Sequence, residues 1–186
     1  MYDAPVYSVA ERLLAGPYPA PGEVERLRAA GVGLFVDLTE EGEYGIARYD
    51  PAGARHVRFP IPDRGVPGGE EMDAILDAVD AGLADGAGVY VHCLAGAGRT
   101  GTVAGCWLVR HGLTGDEALV AIAERRGVAC RPSPETPGQR EFVLRWAEQG
   151  PKGRQRGLIE CASTLLAWKP CRHFTSGTSR SPSTRS

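Results

Sequence analysis

The fold is decided by the sequence Val91-His92-Cys93-Leu94-Ala95-Gly96-Ala97-Gly98-Arg99-Thr100-Gly101. The run that begins at Gly88 is apolar and β-favouring, so the first of these residues are predicted to end a buried strand. Small residues, several of them glycines, then lead to an arginine at the predicted start of a helix. The sequence therefore predicts a thiol and a guanidinium at the two ends of one short loop between a strand and a helix.

A loop of this composition has the properties of an anion-binding site. Small residues let the backbone curl so that successive amide groups point inward, and a helix N-terminus adds partial positive charge. The forked guanidinium of Arg99 can hold two oxygens of a phosphate group. The same positive field favours the thiolate of Cys93, which is the nucleophilic form of cysteine. We therefore predict a phosphate site beside a reactive sulfur, rather than an inert buried thiol next to a flexible turn.

Two other interpretations of the same glycines fail because of their surroundings. Gly96, Gly98 and Gly101 spell G-x-G-x-x-G after a strand, which is typical of dinucleotide-binding domains. That pattern needs a further parallel strand after the helix, whereas two more helices are predicted to follow here. A Walker-type nucleotide loop needs a lysine where Arg99 stands.

Strands and helices alternate in the predicted domain around this loop. Apolar and alternating runs predict two further strands, and apolar residues at helical spacing predict a helix before the loop. Capping-box sequences open the last two helices, at Thr114 and at Thr136. The predicted strands are 33–38, 56–59 and 88–92, and the predicted helices are 70–83, 100–110, 114–127 and one that begins at 136. We expect an α/β domain with a small central mixed or parallel sheet flanked by helices.

The 186-residue chain divides into two parts of opposite charge. Residues 1–150 carry 14 arginines against 22 acidic side chains, a net charge of −8, and are predicted to form the folded domain. Residues 151–186 carry seven basic side chains and one acidic one, a net charge of +6, and this Ser/Thr/Arg-rich segment is predicted to be a disordered tail. An acidic body argues against nucleic acid as a partner, because its phosphate backbone needs basic residues.

The cellular compartment is predicted from what the sequence does not contain. No apolar stretch approaches the roughly 18 residues that span a bilayer, and the N-terminal residues lack the pattern of a secretory signal. We therefore expect a cytoplasmic protein without membrane association, in which the five cysteines stay reduced. The cysteines form no C-x-x-C pair and the four histidines are scattered, so no structural zinc site is expected.

The motif His92-Cys93-x5-Arg99-Thr100 resembles the signature of the protein tyrosine phosphatase superfamily, and its details resemble the small dual-specificity branch. Three other segments support the resemblance. Residues 14–19 are similar to the opening strand and turn of small members, Pro60-Ile61-Pro62-Asp63 is similar to the movable acid loop, and residues 133–139 are similar to a segment that ends in a glutamine near the site. The resemblance covers most of residues 8–148 and implies the fold of the cysteine-based phosphatases.

The resemblance implies a role for each residue of the motif. Cys93 would attack phosphorus, while Arg99 and the backbone amides of the loop would stabilise the equatorial oxygens. Asp63 would protonate the leaving oxygen and later deprotonate the attacking water. Thr100 would hydrogen-bond the sulfur, and His92 would support the loop from behind, unless it is simply a satisfied core histidine. The substrate-binding residues would be Leu94, Ala95, Gly96, Ala97, Gly98 and Arg99.

Two further expectations concern the chemistry of this site. No metal or other cofactor is needed, because the arginine and the amides supply the positive charge. Gln139 could position a water molecule, but its place in a capping box explains it equally well. Asp73 and Asp77 fit the role of the acid less well than Asp63, because they lie on a predicted regular helix.

The resemblance implies a protein phosphatase that hydrolyses phosphotyrosine through a phosphocysteine, with phosphoserine and phosphothreonine as further substrates of a permissive site. A phosphatase of phosphoinositides, inositol phosphates or RNA 5′ ends is an alternative. Such substrates would favour basic residues in the loop, whose variable positions are uncharged, although Arg64 lies next to the acid. A non-catalytic phosphate-binding module is a lesser alternative, because Cys93 and Arg99 are both present. The expected partner is a phosphorylated protein, and the sequence does not predict an oligomeric state.

Overall fold

The computed structural model describes residues 5–20, 22–127 and 132–149. In chain order the elements are β1 (Tyr7–Ala10), β2 (Leu13–Gly16), α1 (Glu23–Ala29), β3 (Val32–Asp37), a 3₁₀ turn (Glu43–Gly45), β4 (Arg55–Arg58), α2 (Gly69–Ala84), β5 (Gly88–His92), α3 (Gly98–Arg110), α4 (Gly115–Arg126) and α5 (Pro137–Gln149). The predicted α/β class is confirmed. The predicted tail lies outside the described residues.

The sheet brings four strand ends to one edge. Its order is β1-β2-β5-β3-β4, and every neighbouring pair except β1–β2 is parallel. The register pairs His92 with Gly16 on one side and with Asp37 on the other, and Asp37 in turn pairs with Arg58. Because the carboxyl ends of parallel strands are where α/β proteins place their sites, this row locates the loop that follows His92.

Helices cover both faces of the sheet. Alternate residues of a strand point to opposite faces, so Leu34 and Val36 of β3 pack into the larger core, which also contains apolar residues of α2, α3, α4 and α5. Phe35 lies on the other face and packs with Tyr90 of β5 and with Leu27 of α1. The central strands are therefore buried on both sides, which accounts for their nearly continuous apolar sequences.

The differences from the predicted elements are small and local. Helix α3 begins at Gly98 instead of Thr100, because the glycine-rich end of the loop already adopts helical backbone angles. Strand β1 and helix α1 were not predicted, because four and seven residues are too few for a clear periodicity. The capping box of Thr114 and Glu117 is confirmed by reciprocal hydrogen bonds. Among the described residues, no helix combines the length and the apolar character that crossing a bilayer requires.

Candidate active site

The loop between β5 and α3 is held tightly against the end of β2. Gly96 has a φ of 65°, and a Cβ atom there would lie 2.4 Å from the carbonyl carbon of Gly16, so no larger residue fits without movement. The backbone N–H of Tyr18 donates to the carbonyl oxygen of Leu94 at 3.1 Å. The predicted strand–loop–helix arrangement of residues 92–100 is therefore confirmed.

Cys93 and Arg99 open into one small cavity of about 240 Å³. Only 2% of the surface of either residue is exposed, so both side chains are largely withdrawn from bulk water. Asp63, the acid residue predicted from the sequence, lines the same cavity. Its lining consists of Tyr44, Asp63, Arg64, Cys93, Leu94, Ala95, Gly98, Arg99 and Glu135. Two of the predicted substrate-binding residues, Gly96 and Ala97, are not among these lining residues. Gly96 packs against β2, and the carbonyl oxygen of Ala97 accepts a hydrogen bond from Ser133 at 2.8 Å.

Arg99 is held by a carboxylate that the sequence analysis did not identify. Its two terminal nitrogens donate to the two carboxylate oxygens of Glu43 at 2.6 and 2.7 Å, a bidentate ion pair with both side chains buried. Nη1 also donates to the carbonyl oxygen of Ile61 at 3.0 Å. These contacts fix the plane of the guanidinium at the base of the cavity. Glu43 lies in a 3₁₀ turn 56 residues from Arg99, so no local sequence pattern could have linked the two.

Asp63 occupies a tight turn at the mouth of the cavity. The N–H of Gly65 donates to the carbonyl oxygen of Pro62 at 2.8 Å, and Arg64 between them has a φ of 62°. The Asp63 carboxylate accepts from Arg99 Nη2 at 3.2 Å and from the hydroxyl of Tyr44 at 2.9 Å. The structure therefore brings the three predicted groups, Cys93, Arg99 and Asp63, together and adds Tyr44 to them.

His92 is fully buried behind the loop. Its Nε2 lies 2.7 Å from the hydroxyl of Tyr49, and its Nδ1 lies 3.9 Å from Asp37 Oδ1. Burial disfavours the charged imidazolium and lowers the pKa of His92 to about 4, in spite of the nearby Asp37. His92 is therefore neutral at physiological pH. The sequence did not predict its contact with Tyr49, which comes from the irregular segment between the 3₁₀ turn and β4.

Asp37 is the centre of a buried polar cluster beneath His92. Burial alone would raise the pKa of the Asp37 carboxyl, but its contacts with two histidines and Thr39 outweigh burial and hold this pKa below its ordinary value. One atom each of Asp37, His56 and His92 lie within 4.8 Å of one another, a spacing that a divalent cation could use. Arg58 Nε lies 3.5 Å from Asp37 Oδ2, and its charge opposes a cation at that position. The donor set therefore favours an ion cluster over a metal centre.

The neutral state of His92 leads to a prediction about stability. The pKa of histidine is about 6.5 in an unfolded chain and about 4 for His92 in the folded protein. Between these values the unfolded chain binds a proton that the folded protein excludes, so stability falls as the pH falls from about 6.5. Urea unfolding should show that the contribution of His92 to the free energy of unfolding falls by about 2 kcal/mol between pH 7 and pH 5. The free energy of unfolding of the His92→Asn variant should fall correspondingly less over this pH range. An equal fall in both proteins would contradict the conclusion that His92 is neutral in the folded protein.

Three further residues that bear on the site are Thr100, Gln139 and Cys106. The Thr100 hydroxyl lies 3.5 Å from the carbonyl oxygen of Gly16, at the outer limit of a hydrogen bond, and its bond to the Cys93 sulfur stays a prediction. Gln139 is fully buried in contact with the loop. Cys106 is also buried, within α3, and burial raises the pKa of its thiol well above the ordinary value, as expected for an unreactive cysteine.

A cysteine and an arginine at the two ends of a loop between β5 and α3, faced by an acidic turn, are typical of the protein tyrosine phosphatase superfamily, as the resemblance of the motif implied. Residues 16–113 match the family model described as "Tc-R-P: Polymorphic toxin system, DSP-PTPase phosphatase". The chain belongs to this family.

Curated relatives and solved structures agree with this assignment. The chain is 31% identical over 163 residues to the Arabidopsis thaliana protein "Phosphatidylinositol 3,4,5-trisphosphate 3-phosphatase and protein-tyrosine-phosphatase PTEN1", covering 79% of this chain and 38% of that protein. It is 32% identical over 130 residues to "Tyrosine-protein phosphatase cdc-14" of Caenorhabditis elegans, covering 69% of this chain and 17% of that protein. The chain therefore spans less than half the length of either relative.

Two crystal structures match nearly over their full length. Tk-PTP in the active form has a TM-score of 0.69 and 28% identity, over 80% of this chain and 99% of that chain. Human DUSP28 has a TM-score of 0.64 and 26% identity, over 77% of this chain and 93% of that chain. The described domain thus corresponds to nearly the whole of two small phosphatase structures.

Proposed function

We propose that this protein hydrolyses phosphate monoesters through a phosphocysteine formed at Cys93, with phosphotyrosine in proteins as the preferred substrate. The observation that carries the proposal is that Cys93, Arg99 and Asp63 line one cavity of about 240 Å³. A nucleophile, a phosphate-binding cation and a proton donor are the three groups that this reaction needs. Family membership supports the same chemistry.

The proposed reaction has two steps. In the first, the Cys93 thiolate forms a bond to phosphorus while the bond from phosphorus to the leaving oxygen breaks, and Asp63 gives its proton to that oxygen. In the second, water attacks phosphorus, the Asp63 carboxylate accepts a proton from that water, and the phosphorus–sulfur bond breaks. Inorganic phosphate and the thiolate are the products, so the enzyme returns to its initial state.

The contact between Asp63 and Arg99 indicates how substrate binding would prepare the first step. Asp63 Oδ1 lies 3.2 Å from Arg99 Nη2, a donor that a bound phosphate would use. We expect a phosphate oxygen to replace the carboxylate at this nitrogen. The Asp63 side chain would then be released, take up a proton from the solvent and approach the leaving oxygen as the acid, while Glu43 continues to hold the guanidinium in place.

The walls of the cavity favour an aryl phosphate. Tyr44 stands at the mouth with 72% of its surface exposed, and Leu94 and Ala95 add apolar surface from the loop itself. An aromatic leaving group can pack against such a wall in an offset or edge-to-face arrangement. Tyr44 provides this aromatic wall from the 3₁₀ turn, far along the chain from the Cys93 loop.

A phospholipid with a phosphate monoester is the second candidate substrate. The names of two Arabidopsis relatives favour it: PTEN1, quoted above, and "Phosphatidylglycerophosphate phosphatase PTPMT2", which is 31% identical over 139 residues. Arg64 at the cavity mouth could contact a second anionic group. The uncharged loop residues Leu94 to Gly98 argue for a substrate with a single phosphate, and therefore for phosphotyrosine.

One assay tests the proposed reaction. The purified protein should hydrolyse an aryl phosphate in the presence of a metal chelator, and vanadate, which mimics the transferring phosphate, should inhibit it competitively. A panel of phosphotyrosine peptides, phosphoserine peptides and phospholipids in mixed micelles should then show the highest kcat/KM for phosphotyrosine. Turnover that requires an added divalent metal would overturn the metal-free mechanism, and a preference for the lipids would favour the second candidate.

A further inference from the structure

We propose that Gln139 is a positioning residue that holds the acid turn Pro62–Gly65 over the Cys93 loop. The proposal rests on the proposed phosphatase function, because it assigns a catalytic consequence to the place of Asp63. It starts from the Gln139 side chain, which is fully buried. A buried amide has to find hydrogen-bond partners, and the partners of this one lie in two different parts of the chain.

The two ends of the Gln139 amide have separate partners. Its oxygen accepts from the backbone N–H groups of Glu135 and Thr136 at 3.2 and 3.1 Å. Its nitrogen donates to the carbonyl oxygen of Gly65 at 3.0 Å. Since the first two partners only donate and the third only accepts, the orientation of the amide is fixed by its surroundings. The oxygen completes the capping box of α5, and the nitrogen holds the acid turn.

The same amide also lies against the phosphate-binding loop. A Cβ atom at Gly98 would lie 2.8 Å from Gln139 Oε1 and 2.9 Å from Nε2, so the glycine leaves space that the amide fills. Ser133 donates to the carbonyl oxygen of Ala97 at 2.8 Å from the same segment. Residues 133–139, which we call the bridging segment, therefore contact both the loop that carries the nucleophile and the turn that carries the acid.

Holding Gly65 restricts Asp63 because the turn is closed. The N–H of Gly65 is bonded to Pro62, and its carbonyl oxygen is bonded to Gln139, so both backbone groups of this residue are fixed. The Thr136 hydroxyl lies 3.5 Å from the carbonyl oxygen of Arg64 and adds a weaker contact. Asp63 projects from this turn, so the bond at Gly65 sets its distance from the leaving oxygen. Proton transfer depends steeply on such placement.

Gln139→Glu separates the two roles of this side chain. Glutamate at this position of a capping box retains the acceptor for Glu135 and Thr136, but it replaces the donor to Gly65 by a second oxygen. The acid turn should then be released while α5 remains capped. We expect kcat for a phosphotyrosine peptide to fall about 10-fold at pH 8, because a buried hydrogen bond is exchanged for a repulsive contact.

The readout that separates positioning from a structural role is the dependence on the leaving group. An aryl phosphate with an acidic phenol needs little protonation, so its kcat should fall far less than that of the phosphotyrosine peptide. Glu117→Gln is the matched control, because it makes the reverse exchange in the capping box of α4; it should leave both rates unchanged. Equal losses on both substrates in Gln139→Glu, or no loss on either, would overturn the proposal.

Hydrogen–deuterium exchange tests the bridge without any turnover. Amides of residues 63–66 should exchange faster in Gln139→Glu than in the wild type, and those of α4 should not change. If the wild type hydrolyses no aryl phosphate, the proposed function fails, and this exchange result still decides whether Gln139 holds the turn. Should the glutamate variant not fold, Gln139→Met removes the donor without adding a charge, and unchanged exchange in residues 63–66 of that variant would refute the bridge.

Discussion

Replacement of Cys93 by serine should abolish turnover while the fold is retained. Sulfur is an intrinsically strong nucleophile, whereas a serine hydroxyl attacks phosphorus only with the help of an adjacent general base. We expect kcat to fall by at least about 10⁴-fold, the scale on which loss of a catalytic nucleophile is measured in other enzymes. The site is tightly packed, with Cys93 2% exposed, and exchanging sulfur for oxygen adds no atoms.

The experiment measures steady-state hydrolysis of an aryl phosphate together with vanadate binding and thermal unfolding. Cys93→Ser should retain the midpoint of unfolding to within a few degrees and still bind the oxyanion, because Arg99 and the loop remain. Cys106→Ser is the matched control: this second thiol is fully buried in α3, and the same exchange there should leave kcat unchanged. Residual turnover well above the uncatalysed rate in Cys93→Ser would reject the nucleophile assignment.

The loop could be predicted from the sequence because its chemistry is local. Cys93 and Arg99 lie six residues apart, and the strand before them and the helix after them have clear apolar patterns. The role of Asp63 could be predicted only from the family resemblance, because aspartate is common in turns such as Pro-Asp-Arg-Gly and its presence there does not indicate a catalytic role. The structure places it beside Arg99 because β3 and β4 end at the same edge of the sheet as β5.

The contacts that complete the site could not be predicted, because they join distant irregular segments. Glu43 and Tyr44 belong to a three-residue 3₁₀ turn, which has no periodicity to read. Tyr49 reaches His92 from 43 residues away. The partners of Asp37 depend on strand register, which aligns His92, Asp37 and Arg58 in one row and is set by packing on both faces of the sheet. Single-sequence patterns carry little information about such register.

These distant contacts determine how the acid residue is held. The Asp63 turn contacts Tyr44 and Arg99 through its carboxylate and Gln139 through its backbone. Three separate segments therefore converge on one turn, while Glu43 in the same 3₁₀ turn as Tyr44 holds Arg99. The placement of Asp63, the proposed proton donor, thus depends on the whole domain, which makes Asp63 the most informative residue to change after Cys93.

Asp63→Asn should lower kcat for a phosphotyrosine peptide by roughly 10²–10⁴-fold, the usual contribution of a positioned general acid. Asparagine has nearly the same shape as aspartate and can still accept a hydrogen bond from Tyr44, so the turn should keep its conformation. It has no acidic proton to give, and the leaving oxygen would have to depart as an anion. The loss should therefore grow with the basicity of the leaving group and be smallest for an aryl phosphate with an acidic phenol.

The matched control is Asp77→Asn, the same exchange on α2. Asp77 pairs with Arg110, with 2.7 Å between Oδ1 and Nη1, and it does not line the cavity. It should leave kcat and its dependence on the leaving group unchanged. A kcat reduced only a few-fold in Asp63→Asn, or reduced equally for acidic and basic leaving groups, would remove Asp63 from the role of proton donor. The candidates would then be the other acidic groups of the cavity and its base, Glu135 and Glu43, and Glu43 is the less suited because its carboxylate is already bound at both oxygens by Arg99.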